Sequence, residues 1–191
     1  MSFWTDGTAE PKRNFRFLVT LSSTTTTGNG EVTGVLWFAK SVSTPSFNVS
    51  SVTHDFLDNK YYYPGRVEWQ TVSLTLVDPV SPDAVGLTNQ ILSDSGYKVK
   101  TQAEAAIGQA KTISKKGATT TGLANLQIDI LDANGDAVET WNLNNPFIES
   151  AKYGDLDYSN DELRTVELTI KYDWATCTIN GTTSTSFFGV A

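Results

Sequence analysis

His54 is the only histidine and Cys177 the only cysteine in 191 residues, which leaves little side chain for nucleophilic chemistry. A histidine triad needs a nucleophile and an acid to converge on the imidazole. Ser50, Ser51 and Asp55 lie near His54 in sequence, but neighbours along one strand do not converge, so a structural or surface histidine is expected. Cys177 has no evident second partner and reads as a buried or incidental thiol rather than a nucleophile. Asp132-Ala133-Asn134-Gly135-Asp136 has the opening of a calcium loop. The bidentate acid such a loop needs later is missing, because Glu139 comes too early and no second helix follows, so a hairpin turn is the better account. Asp155, Asp157, Asp161 and Glu162, with Asp173 beyond them, could supply carboxylate pairs for glycoside hydrolysis. A solvated acidic face is the usual meaning of such a run. No catalytic residue, metal set or cofactor is expected.

Aromatic residues carry more information. Trp37, Trp69, Trp141 and Trp174 fall on predicted strands and read as core, with an interface or a sugar-binding face as the alternative. Tyr61-Tyr62-Tyr63-Pro64-Gly65 reads as a turn, and turns are ordinarily polar. Three tyrosines there suggest a surface that another protein covers. The formal charge of −7, from 14 basic and 21 acidic residues, with no long basic cluster, argues against a stable grip on nucleic acid. The start, MSFWTDGTAEPKR, lacks the layout of a signal peptide, and no apolar run approaches the length of a membrane span. One cysteine excludes an intrachain disulfide and fits a reducing compartment.

The elements that must position these residues are mostly strands. Residues 1–12 read as an arm. Arg13 to Ser22 reads as a strand with Phe15, Phe17, Val19 and Leu21 on one face, Val35 to Val42 as a buried strand, and Phe47 to Phe56 as a polar-faced one. Val67 to Val77 is a strand whose apolar phase switches near Gln70-Thr71, through a bulge or burial on both faces. Ser81-Pro82-Asp83 opens a helix with Ser81 as its cap, a stripe of Val85, Thr88, Ile91 and Leu92, and Gly96 at its end. Thr101 to Thr112 is a weaker helix, and Lys115 to Gly122 a loop. Leu126, Ile128 and Ile130 alternate with Gln127 and Asp129 as a half-buried strand, which Asn134-Gly135 turns back into Ala137 to Leu143. Asn144 to Asp161 reads as irregular, Leu163 to Trp174 as one strand, and the tail from Thr178 as mobile. The expected fold is mainly β: packed antiparallel sheets, as a sandwich or barrel, with one flanking helix.

Several of these segments, in this order, resemble the tail tube proteins of contractile-tailed phages. The similar segments are Asn14-Phe15-Arg16-Phe17-Leu18-Val19, then Ala39-Lys40-Ser41-Val42-Ser43-Thr44-Pro45. After them come the hairpin with Asn59-Lys60 and Pro64-Gly65-Arg66, Trp69-Gln70-Thr71-Val72-Ser73-Leu74-Thr75-Leu76, and Ser159-Asn160-Asp161 with the strand to Trp174. The resemblance implies a tail tube domain over 13–174, with 96–121 as an insertion or long connection and 175–191 as a C-terminal extension. It implies a structural subunit without catalysis or cofactor. Six copies would form a ring, and rings would stack around a channel that DNA crosses without specific binding. The implied partners are further copies, tail sheath, tape-measure and baseplate proteins, with no membrane. The implied place is the virion tail, assembled in the host cytoplasm. A long hairpin at about 56–67 would bridge copies. Interface candidates are Ser43, Thr44 and Pro45 at a bend, and Lys60, Tyr61, Tyr62, Tyr63, Pro64 and Arg66. The alternatives are the inner tube of a contractile secretion or injection system and, from another class, a sugar-binding adhesin module. A carboxylate enzyme ranks third.

Overall fold

The computed structural model of the chain describes residues 10–22, 34–81, 83–103, 112–159, 161–180 and 185–189. Alternation builds its centre. In Val72–Val77 (β6), Val72, Leu74 and Leu76 are wholly buried while Ser73 is exposed. Each such side chain contributes roughly 2 kcal/mol through loss of water contact. β6 sits between Ala39–Val42 (β3) and Thr165–Lys171 (β10), and β10 pairs onward with Phe147–Lys152 (β9), giving an antiparallel four-stranded sheet in the order β3-β6-β10-β9.

A six-stranded antiparallel sheet covers its apolar face. The order is Thr185–Phe187 (β12), Trp174–Ile179 (β11), Ala137–Asn144 (β8), Asn125–Leu131 (β7), Phe17–Ser22 (β1) and Gly34–Val35 (β2). Val19, Leu21, Leu126, Ile128, Leu143 and Ala175 from this sheet join Val72, Leu74, Leu76, Val166, Leu168 and Ile170 in one core. Ala84–Asp94 (α1) closes one end by burying Ala84, Thr88 and Ile91. Among the described residues, the remaining strands, Phe47–Phe56 (β4) and Asn59–Trp69 (β5), pair only with each other.

The mainly β fold with a flanking helix is as expected, and so is the Asn134-Gly135 hairpin, where Gly135 takes φ +90°. Gly96 ends α1 at φ +105°, in a conformation that a side chain would strain. Other expectations need correction. Asp83, not Ser81, caps α1, its carboxylate accepting from the Val85 N–H, while Asp78 accepts from the Ala84 N–H at 3.2 Å. Val35 to Val42 is broken by a turn at Trp37-Phe38, which leaves Trp37 69% exposed rather than in the core. Phe15 lies in a turn before β1 and is exposed.

The span Leu163 to Trp174 is two strands. The chain leaves the small sheet at Lys171 and enters the large one at Trp174, so β11 continues the domain through residues expected to be an extension. Phe187 pairs with Cys177, which corrects the mobile tail for residues 185–187. β9 lies inside the supposedly irregular stretch, beyond a fully buried Pro146. Lys115–Gly117 is a helical turn that runs into a π-helical turn, Ala118–Gly122, not a loop. The expected arm 1–12 falls mostly outside the described residues, as does most of the weaker helix at 101–112.

Candidate assembly surface

β4 and β5 form a free-standing arm. Ten residues at about 3.3 Å each give it a reach of about 33 Å. Every residue of it except Trp69 is exposed. The turn is Leu57-Asp58, between the paired Phe56 and Asn59. Tyr61-Tyr62-Tyr63-Pro64-Gly65 is therefore not a turn but the middle of β5, and the hairpin extends over 47–69 rather than 56–67. The phase switch at Gln70-Thr71 comes from neither a bulge there nor burial on both faces: β5 ends at Trp69, and the chain passes from arm to sheet before β6 begins at Val72. β5 does carry a bulge, but before Val67.

That bulge sits at Gly65-Arg66. Between Val49 and Ser51 the partner changes from Val67 to Pro64, so two residues of β5 oppose Ser50. The Arg66 N–H donates to Ser50 Oγ at 2.9 Å. A Cβ on residue 65 would lie 2.3 Å from that same oxygen, so a side chain there would push the Ser50 hydroxyl off the Arg66 N–H.

Cross-strand partners share a face, and the arm's two faces differ along its length. At the base, the pairs Phe47–Trp69 and Val49–Val67 put apolar groups on one side, with Asn48–Glu68 on the other. Toward the tip, Val52–Tyr63 and His54–Tyr61 occupy the side that was polar, while Thr53–Tyr62 and Asp55–Lys60 occupy the first side. The base is seated: Trp69 meets Phe47 at 5.4 Å, Phe188 at 5.6 Å and Tyr172 at 6.0 Å between ring centroids. The tip has no such seat. Val52, Phe56, Tyr61, Tyr62 and Tyr63 are 48–67% exposed, and Leu57 is 87% exposed with a left-handed φ of 53°. That backbone costs a leucine about 1 kcal/mol.

Of the candidate interface residues, Lys60, Tyr61, Tyr62, Tyr63, Pro64 and Arg66 all lie on this arm. Ser43, Thr44 and Pro45 lie at its root, apart from the tyrosines. Ser43 locks to β6, its N–H donating to the Ser73 carbonyl at 2.9 Å and its Oγ accepting from the Ser73 N–H at 2.8 Å. Pro45 is buried, so it joins arm to sheet and presents no surface of its own. The sequence reading missed Val52, Phe56 and Leu57; an alternating apolar pattern on a strand otherwise taken as polar was their signal.

The chemically suggestive residues do not converge. His54 faces Tyr61 across the arm, with Ser51 and Asp55 on the opposite face. Burial, and after it the negative charge of Glu139, push the Cys177 thiol up, so the thiolate is disfavoured. Asp132 is the turn's own brace: its carboxylate accepts from the Asn134 and Asp136 N–H groups, and those bonds hold it below the usual carboxylate range. Asp157 caps Ser159, and Asp173 pairs with Lys115 at 2.6 Å, far along the chain from Asp157. Among the described residues no group of three or more His, Cys, Asp or Glu is placed to hold a metal. No described helix is long and apolar enough to cross a membrane.

The fold is shared with chains solved in contractile tube assemblies. Among solved structures, the chain is similar to one in the anti-feeding prophage cap, described as the tube-terminating cap, with 18% identity over 90% of this chain and 93% of that one and a TM-score of 0.60. It is similar to one in the sheath–tube complex of an extracellular contractile injection system, PVC, in its extended state, with 16% identity over 94% and 99% and a TM-score of 0.59. An Hcp protein matches at 14% identity over 90% and 98%, with a TM-score of 0.50. No protein-family model matches the sequence, and no curated protein matches it.

Proposed function

We propose that this chain is a structural subunit of the inner tube of a contractile tail, with copies joined into six-membered rings that stack around a channel. The observation that carries this reading is the arm. Its aromatic tip is exposed among the described residues, and a second copy would cover it. The free edges of the small sheet, β3 and β9, support it as well. Exposed edges invite pairing with other chains, and closing a ring of edges removes that hazard. β3 and β9 run in opposite directions, because the three pairings between them are all antiparallel, so joining successive copies continues the antiparallel pattern.

In such a ring the outer face of the small sheet lines the channel. It offers Ser73, Thr75, Thr169 and Ser150 with scattered charges, Glu167, Lys171 and Lys152. Few phosphates would be neutralised there, so DNA in a phage tail would pass without being held. Tail sheath, tape-measure and baseplate proteins are the partners of that reading, and the virion tail is its location. The second reading, the tube of an injection system, is favoured by the structures of similar fold, which include the anti-feeding prophage and PVC assemblies.

Negative-stain electron microscopy of the concentrated purified chain tests the proposal. Rings or hollow rods of uniform diameter are expected. A chain that remains monomeric and binds glycans would overturn it in favour of an adhesin module.

A further inference from the structure

The two free edges of the small sheet lie beside surfaces of opposite charge. Beside β3 runs a cleft of about 870 Å³, between that edge and the segment leading into β1. Lys12, Arg13, Arg16 and Lys40 line it, and its wall segments, 12–17 and 39–44, contain no acid. Its apolar lining includes Phe15 and Ile130. Lys12 pairs with Glu139, and Arg16 holds Glu10 at 2.6 Å. Arg13 and Lys40 have no ion-pair partner among the described residues.

Beyond the other edge, the chain leaves β9 at Tyr153 and turns sharply at Gly154, where φ is +67° and a Cβ would come within 2.9 Å of the Thr165 carbonyl oxygen. Asp155, Leu156, Asp157 and Tyr158 follow, then Asp161 and Glu162, with no basic residue among 153–163. Leu156 is 82% exposed and Tyr158 fully so. Such a segment, acidic with protruding apolar groups, complements a basic cleft with an apolar lining.

The register brings the two to the same level. Ala39 pairs with Leu76, Leu76 with Val166, and Glu167 with Lys152, so Tyr153 stands on the row of Ala39. When β9 of one copy meets β3 of the next, the segment after Tyr153 leaves the sheet beside Ala39 and Lys40 of that next copy. We infer that the acidic segment 155–158 of each copy, with Asp161 after it, docks in the Arg13–Lys40 cleft of its neighbour, making the contact between successive copies both directional and electrostatic. This inference rests on the ring reading above.

Charge reversal tests it. Arg13→Glu with Lys40→Glu reverses the cleft, and Asp155→Lys with Asp161→Lys reverses the segment while leaving Asp157 to hold its turn. Assembly is followed by sedimentation velocity and electron microscopy, with circular dichroism to show that each variant is folded. Each reversal should raise the concentration needed for assembly at least tenfold, and a chain carrying all four should recover. Reversed chains that assemble like the wild type, or a folded fourfold variant that does not recover, overturn the docking and leave the tube reading standing. A wild-type chain that stays monomeric at every concentration overturns both.

Discussion

The sandwich and the arm are built from the same kind of strand and are held in opposite ways. β6 and β5 are both antiparallel strands bearing large apolar side chains, yet Leu74 is sealed between two sheets while Tyr62 is 67% exposed. The sandwich draws its stability from burial. The arm has a single hydrogen-bonded ladder and an aromatic seat at its base. An isolated two-stranded ribbon is marginal in water, so the arm keeps its shape through that seat and, in the proposed assembly, through neighbouring copies. Residues that stabilise the subunit and residues that join subunits are thus segregated, and substitutions should separate the two properties.

The largest effect on the subunit itself is expected in the core. Leu74→Ala leaves a cavity between the two sheets and should cost about 3 kcal/mol in urea unfolding. A loss as small as that of a surface substitution would remove the contrast.

A smaller effect belongs to the link between the helical turns and the strand exchange. Lys115, and then Asn145, hydrogen-bond the Asp173 carboxylate and hold it below the usual carboxylate range. The folded-state value is the lower one, so the stabilisation is fully present above the unfolded value, near pH 4, and is lost as pH falls through the folded value. Both partners are solvated, with side chains 67% and 34% exposed, so the contribution should stay below about 1 kcal/mol. Thermal unfolding from pH 2 to 7 should show a shallower acid slope in Asp173→Asn than in the wild type. Equal slopes would mean that the pair does nothing for stability.

The smallest effect on the subunit, with the greatest effect on assembly, is expected on the arm. Tyr62→Asp should change unfolding free energy by less than about 0.5 kcal/mol while abolishing rings and rods. A variant that polymerises normally would take Tyr62 out of the interface.

What could be read from sequence divides along a similar line. The alternation of Val72, Leu74 and Leu76, the turn at Asn134-Gly135 and the stop at Gly96 are local facts, and each appears in the structure where expected. Pro64-Gly65 misleads because the pair has turn chemistry of its own, and only Ser50 on the facing strand turns it into a bulge. The exchange of sheets between Lys171 and Trp174 is equally hidden, since Tyr172 and Trp174 keep the apolar phase of β10 through the crossing. On the candidate surface, Lys60 to Arg66 was visible as an unusual run of aromatics. The switch of apolar face was legible on β4, where Val49 and Val52 differ in parity, but not on β5, where the bulge conceals it.

Exposed segments ordinarily accept insertions and deletions, and the bulge makes the arm tolerant of one. Without the extra residue opposite Ser50, Tyr63 still faces Val52 and Tyr61 still faces His54, so the tip keeps its sides. What the extra residue supplies is the bend and added twist of a bulged strand. It aims the aromatic tip relative to the seated Trp69, with the sandwich untouched.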